Sequence, residues 1–353
     1  MTKVFKFLSL LILSIAFSGI SISAQASLEC QQIYQQFLKE RVGPGISEWT
    51  AAIVTGKNYL QKCSNLENNV EVKNYVTGQI PKLEEKINQK KIADKEASFN
   101  AALKAKNFDE LIAIAKELIN LNRPYSLDLM LDIASVGLDK ASANPADDKY
   151  NIDALYFAKT ALEKIGEGKT SGNADKYGFY AEYKNIKCAD GKINAIGWMN
   201  YTIGFITNAR LKQTKEALPY LYKASQTGCE TKNFSEIFRM IGAWYIDETI
   251  KLNRVREEKL KANGDKDNAE TLSYLAMQKG YAERAIDAYS RAYKIATAPD
   301  SKATQPYKDA LLKRVKDLFD FRYDGDQSTL DLYLQNVEST PFTNPATPVT
   351  PVK

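Results

Sequence analysis

The residue types that most often carry catalysis are thin in this chain. Its 353 residues contain no histidine, which removes the commonest general base, the commonest zinc ligand and every Ser–His or Cys–His nucleophile pair. Lysine, tyrosine and the carboxylates remain, but the adjacent acids Glu84-Glu85 and Asp147-Asp148 read as solvated surface. Gly166-Glu167-Gly168-Lys169-Thr170 ends like a phosphate-binding loop. The first glycine of such a loop is missing at the required spacing and no strand precedes it, so the stretch reads as a flexible loop. No C-x-x-C is present, and without it or histidine no metal site is expected. The expectation is a protein that is not an enzyme and uses no cofactor.

The four cysteines, Cys30, Cys63, Cys188 and Cys229, are a different chemistry. An even count in an exported chain suggests disulfides, with three possible pairings. Cys30 opens a helical stretch over 31–41, Gly43-Pro44-Gly45 turns the chain, and 46–62 runs back to Cys63. Both cysteines then stand at the open end of one antiparallel hairpin. Cys188 precedes a helix over 192–208 and Cys229 follows one over 214–227, which repeats the logic. Each bridge would stabilise by about 3–4 kcal/mol on the loop-entropy argument. Free buried thiols are the alternative.

Export is read from the beginning of the sequence. Lys3 and Lys6 precede a largely apolar run over 7–22, followed by Ala24-Gln25-Ala26. Basic, apolar, then small-x-small is the pattern of a secretory signal peptide, taken as residues 1–26. The run is shorter than the ~20 residues a span needs, and no later stretch is apolar enough, so no membrane span is expected. Glu29 before Cys30 argues against a lipid anchor. Periplasmic or extracellular residence follows, as a soluble mature chain. Removing the two signal lysines takes the formal charge from +5 to +3, too mild to imply nucleic acid. Asn200-Tyr201-Thr202 and Asn233-Phe234-Ser235 are glycosylation sequons.

The elements that would position any site are helices. Apolar residues recur at three and four positions nearly throughout, and alternating strand runs are almost absent. A long helix is predicted over 72–106 with Pro81 in its early turns, and a surface loop between Ala134 and Ala154. Four of the eleven prolines, Pro341, Pro345, Pro348 and Pro351, fall at the end among threonines. Residues 339–353 are therefore expected to form an extended, disordered tail.

Within 95–298 the helices fall into pairs with a common spacing. Phe238-x-x-Ile241-Gly242-x-x-Tyr245 and Gly280-Tyr281-x-x-x-Ala285-x-x-x-Tyr289-x-x-Ala292 resemble the first and second halves of a tetratricopeptide repeat. Ala217-x-x-x-Leu221-x-x-Ala224 after Ile203-Gly204, Ala154-x-x-x-Ala158-x-x-Ala161, and Leu111-x-x-x-Ala115-x-x-Leu118 followed by Pro124 keep the register. The chain thus resembles the tetratricopeptide (TPR-like) proteins, although no repeat is complete. The resemblance implies an all-α fold, an α-solenoid of antiparallel helix pairs. It would have an N-terminal hairpin and long helix over 27–94 and a repeat domain over 95–338. The insertion between Tyr245 and Ala285, with a turn at Asn263-Gly264-Asp265, reads either as an elongated hairpin or as an extra degenerate repeat. In the hairpin reading Leu252 and Val255 face Leu272 and Leu275.

Proteins of that family present a groove lined by their first helices. Carrying the signature onto the helix from Lys192 puts Trp198, Tyr201, Phe205 and Asn208 on one stripe, with Glu236, Arg239, Ala243 and Ile246 at the equivalent positions of the next pair. Aromatics beside Arg239 suit a peptide or protein partner; packing of Trp198 and Phe205 between repeats is the alternative. The resemblance implies an exported interaction scaffold. A cell-envelope assembly or carrier module for a polymer or outer-membrane client is the other reading. Its marker would be a basic stripe of Lys251, Arg254, Arg256, Lys259 and Lys261 facing one way.

Overall fold

A computed structural model describes residues 28–63, 70–105, 107–121, 126–170, 183 and 188–352, with the side chain of Cys229 also outside the description. The expected signal peptide lies outside the described residues. Among those described, the chain is all-α, with 13 helices and no strand. No helix among them is long and apolar enough to cross a membrane. The chain divides into two compact units, Met1–Leu121 and Asn122–Lys353.

In the first unit α1 (Leu28–Arg41) and α2 (Ile46–Cys63) form the expected hairpin, followed by α3 (Val70–Ala105) and α4 (Phe108–Asn120). The Trp49 indole donates to Gly43 O at 2.7 Å, tying the turn to α2. Lys86 of α3 sits 3.9 Å over the same ring. Gly56 lets the Phe37 ring and Val76 close on α2, since a Cβ there would lie 3.1 Å from Phe37. Cys30 and Cys63 are bonded, with Cα atoms 5.9 Å apart, and both are buried. Phe99 and Ala102 at the far end of α3 are buried too, and α3 packs against both α2 and α4. α3 runs without a break across residues 94 and 95, and with α4 it completes a compact unit that ends at Leu121.

The second unit begins with two helix pairs, α5 (Ser126–Ala143) with α6 (Asn151–Gly166), and α7 (Gly191–Phe205) with α8 (Thr214–Gln226). A π-helical turn, Ile206–Arg210, extends α7, and a short α9 (Cys229–Lys232) follows α8. Next come α10 (Ser235–Ala262), α11 (Ala269–Ala296), α12 (Gln305–Arg322) and α13 (Leu330–Asn336), which ends in the 3-10 turn Val337–Ser339. In three pairs a first-helix glycine leaves no room for a side chain against the second helix. A Cβ on Gly137 would lie 2.3 Å from that of Ala154, on Gly204 2.7 Å from Leu221, and on Gly242 2.6 Å from the Tyr289 ring. The alanines at the signature positions of the second helices, Ala154, Ala158, Ala161, Ala217, Ala224, Ala285 and Ala292, are fully buried.

The insertion is one long hairpin. α10 and α11 have 28 residues each and pack along one another, a length of about 42 Å. Gly264 and Asp265 turn the tip at positive φ, and Asn268 and Thr271 form a capping box that starts α11. The expected seam is only half formed. Leu252 and Leu275 are half-buried, whereas Val255 and Leu272 are exposed, because a two-helix hairpin without a third layer covers only a narrow stripe on each helix.

Residues 167–170 are the turn that ends α6: Gly168 is at φ 76°, and Lys169 N donates to Lys164 O at 2.9 Å, a helix-terminating geometry that glycine adopts freely. The tail after residue 339 is not a disordered tether. Phe342 and Pro345 are buried and Val349 packs on the core of the second unit. Proline forbids helix there but does not prevent an extended chain from docking.

Candidate binding site beside Trp198

α7 carries the stripe, and its start is fixed by Asp190, whose side chain accepts from Ile193 N at 3.0 Å. Gly197 then lets the turn after α8 lie against the helix: a Cβ there would be 2.3 Å from Thr231 Oγ1 and 2.6 Å from Thr227 O. Gly228, at φ 85°, completes the turn, and Thr231 Oγ1 donates to Ala224 O and Thr227 O at 2.8 Å. This close approach brings Glu230 over α7. Buried Asn194 donates to Glu230 Oε2 at 2.8 Å and to Tyr183 O at 2.7 Å, and accepts from Glu230 N at 3.2 Å. The Trp198 indole donates to the same Glu230 Oε2 at 2.6 Å.

Trp198 thereby forms one wall of a cavity of about 270 Å³, lined also by Ser135, Leu138 and Asp139 of α5, Tyr183, Thr202 and Glu230. The hydroxyls of Ser135 and Tyr183 are 3.1 Å apart. An indole, two carboxylates and three hydroxyls around a cleft of this size suit a cationic or donor-rich side chain with an apolar stem.

Of the expected stripe, Trp198 alone lines this cavity. Tyr201 is buried, 5.0 Å from the Phe234 ring and 5.7 Å from those of Trp198 and Phe205. Phe205 is half-buried with the Arg210 guanidinium 5.3 Å over it, and Asn208 is half-buried in the π-turn. Arg239 is turned onto its neighbour Glu236 through two hydrogen bonds, at 2.7 and 2.5 Å. Its hydrogen bonds with that carboxylate hold the guanidinium pKa above its usual value. Tyr307 of α12 donates to Glu236 at 3.3 Å, and burial pushes its phenol up to about 12. Burial, then the negative charge of Glu236, raises Tyr201 further still. These groups are held in packing between helices.

Ser135, Asp139, Tyr183 and Glu230 were not expected. The first two are four apart on α5 and so share a face, but α5 also carries Asp128, Asp132 and Lys140, so nothing in the sequence singles them out. Glu230 had no signal either, since its position depends on Gly197. The sequon residue Asn200 is buried, its amide donating to Ile196 O at 2.8 Å, which leaves no room for a glycan in the folded chain. Cys188 is buried and disulfide-bonded; the expected pairing with Cys229 involves a side chain outside the described residues. Comparisons of the chain with protein-family models, with curated proteins and with solved structures give no match.

Proposed function

We propose that the chain is an exported, non-enzymatic interaction scaffold built on tetratricopeptide-like helix pairs, and that it binds a peptide or protein partner through the cavity beside Trp198. The observation that carries the reading is the indole of Trp198, oriented by Glu230 on the wall of a cleft that also holds Asp139. The partner group that fits best is a lysine or arginine side chain, its stem on the indole and its charge toward the carboxylates. Support for the helix-pair reading comes from Gly204 against Leu221 and Gly242 against Tyr289, which meet at corresponding signature positions. The Cys30–Cys63 bond is compatible with export.

The envelope-carrier reading leans on the basic stripe of the long hairpin. There Lys251 pairs with Glu248, Arg256 with Asp267 and Lys259 with Glu270. Local acids offset most of that charge, which favours the scaffold reading.

Crosslinking a tagged chain in its native host, followed by mass spectrometry, tests the proposal. One dominant partner is expected, and Trp198→Ala and Asp139→Lys should each reduce its capture by about tenfold or more with unchanged circular dichroism. Undiminished capture by both variants would remove the cavity as the binding site.

A further inference from the structure

Residues 341–352 make contacts of the kind a bound peptide makes. They include four prolines and no charged residue, and they form neither helix nor strand. The Phe342 ring is 6% exposed. It meets Phe238 of α10 edge-on at 5.0 Å and Tyr222 of α8 at 6.2 Å, with the Arg291 guanidinium of α11 5.4 Å over its face. Pro345 is buried, and Asn344 folds a local turn by accepting from Ala346 N and Thr347 N. Val349 packs on the core, and Val352 N donates to Ala276 O at 2.9 Å. The segment therefore runs along α11 from Arg291 back to Ala276, antiparallel to the helix.

Arg291 fixes the chain just before the segment, and Gly280 lies beneath the segment's backbone. Arg291, itself buried, is held by Asp287 at 2.9 Å and donates to the carbonyls of Val337 and Thr340 at 2.8 and 2.6 Å. A cation on main-chain carbonyls fixes where a chain enters without reading its sequence. Gly280 lies in the interior of α11, where glycine is disfavoured relative to alanine. A Cβ there would stand 2.3 Å from Thr350 O and 3.0 Å from Val349. The missing side chain makes room for the crossing backbone.

An aromatic socket suits an extended, proline-containing segment, and the glycine leaves room for its backbone. We propose that the face of α8, α10 and α11 is a docking site, specific for uncharged segments led by an aromatic residue, and that residues 341–352 are its internal occupant. A partner segment of the same chemistry binds by displacing them. The site is separate from the Trp198 cavity, and either proposal stands without the other.

The test opens the site in an otherwise intact chain. A specific protease sequence is placed between Thr340 and Pro341, and the folded protein is cut. It is then titrated into a fluorescein-labelled peptide of residues 340–352, followed by anisotropy. The cut protein should bind the peptide saturably and the uncut protein should not. A Phe342→Ala peptide should bind about 30-fold more weakly. Gly280→Ala in the cut protein should also weaken binding. A cut chain that keeps its circular dichroism and binds no peptide overturns the proposal. So does a chain that unfolds on cutting, since the segment would then belong to the core.

Discussion

Tyr245 of α10 is 1% exposed, and its hydroxyl has no hydrogen-bond partner among the described residues. A buried hydroxyl left unpaired costs about 1–3 kcal/mol, so Tyr245→Phe should be neutral or stabilise by about 1 kcal/mol, read as the urea midpoint. The same residue sets an alkaline limit. Burial pushes its phenol up to about 12, while an unfolded tyrosine titrates near 10. Between these values the folded chain keeps a proton that the unfolded chain has lost, so stability is complete below pH ~10 and falls as pH rises toward ~12. Tyr245→Phe should lose less stability than the parent across that window. The Trp198 stripe shows what is legible at this scale. Helical spacing placed Trp198, Tyr201 and Phe205 on one face, and they do touch. What covers that face was not legible, because Phe234 and Glu230 reach it from after α8 through a contact that Gly197 permits.

Among elements, the two hairpins differ in how they are held. The α1–α2 pair has a glycine-proline turn at one end and a disulfide at the other, with Phe37, Trp49 and Tyr59 between them in the core. Its bond spans a sequence separation of 33, for which loop closure predicts about 3–4 kcal/mol. Cys30→Ala/Cys63→Ala should lower the denaturation midpoint of the first unit accordingly, and reductant should then change it no further at that bond. The α10–α11 hairpin has no such clamp. It relies on the capping box at Asn268, on Arg256 reaching Asp267 and Thr271 O, and on the packing at its base. The turn residues at its tip were legible in the sequence, but they left an elongated hairpin and an extra repeat both open. Its seam was not, because which of Leu252, Val255, Leu272 and Leu275 is covered depends on the rotation of each helix about its axis.

At the scale of the molecule, the division at Leu121 predicts two autonomous folding units. Expressed separately, residues 28–121 and 126–352 should each be helical and melt cooperatively, and the smaller should lose stability on reduction. A fragment that is unfolded by circular dichroism would show that its core needs the other. The larger fragment contains both the Trp198 cavity and the face that holds residues 341–352. It should therefore retain both binding behaviours.

The amino-acid sequence by itself determined the helical class, the positions of most helices and the small residues at which helix pairs close. These follow from local spacing, turn chemistry and volume, which act over one or two turns of chain. Only the tertiary structure decided that Tyr201 is packing while Trp198 borders a cavity, that Arg239 is spent on Glu236, and that the proline-rich end is docked. The first and last of these depend on residues far apart in sequence, Asn194 with Glu230, Arg291 with Thr340 and Gly280 with Thr350, whereas Arg239 and Glu236 are three apart on α10. Composition marks residues 341–352 as unable to form helix. Whether such a segment stays in solvent depends on the face another helix offers it, and here Gly280 and the pocket around Phe342 provide one.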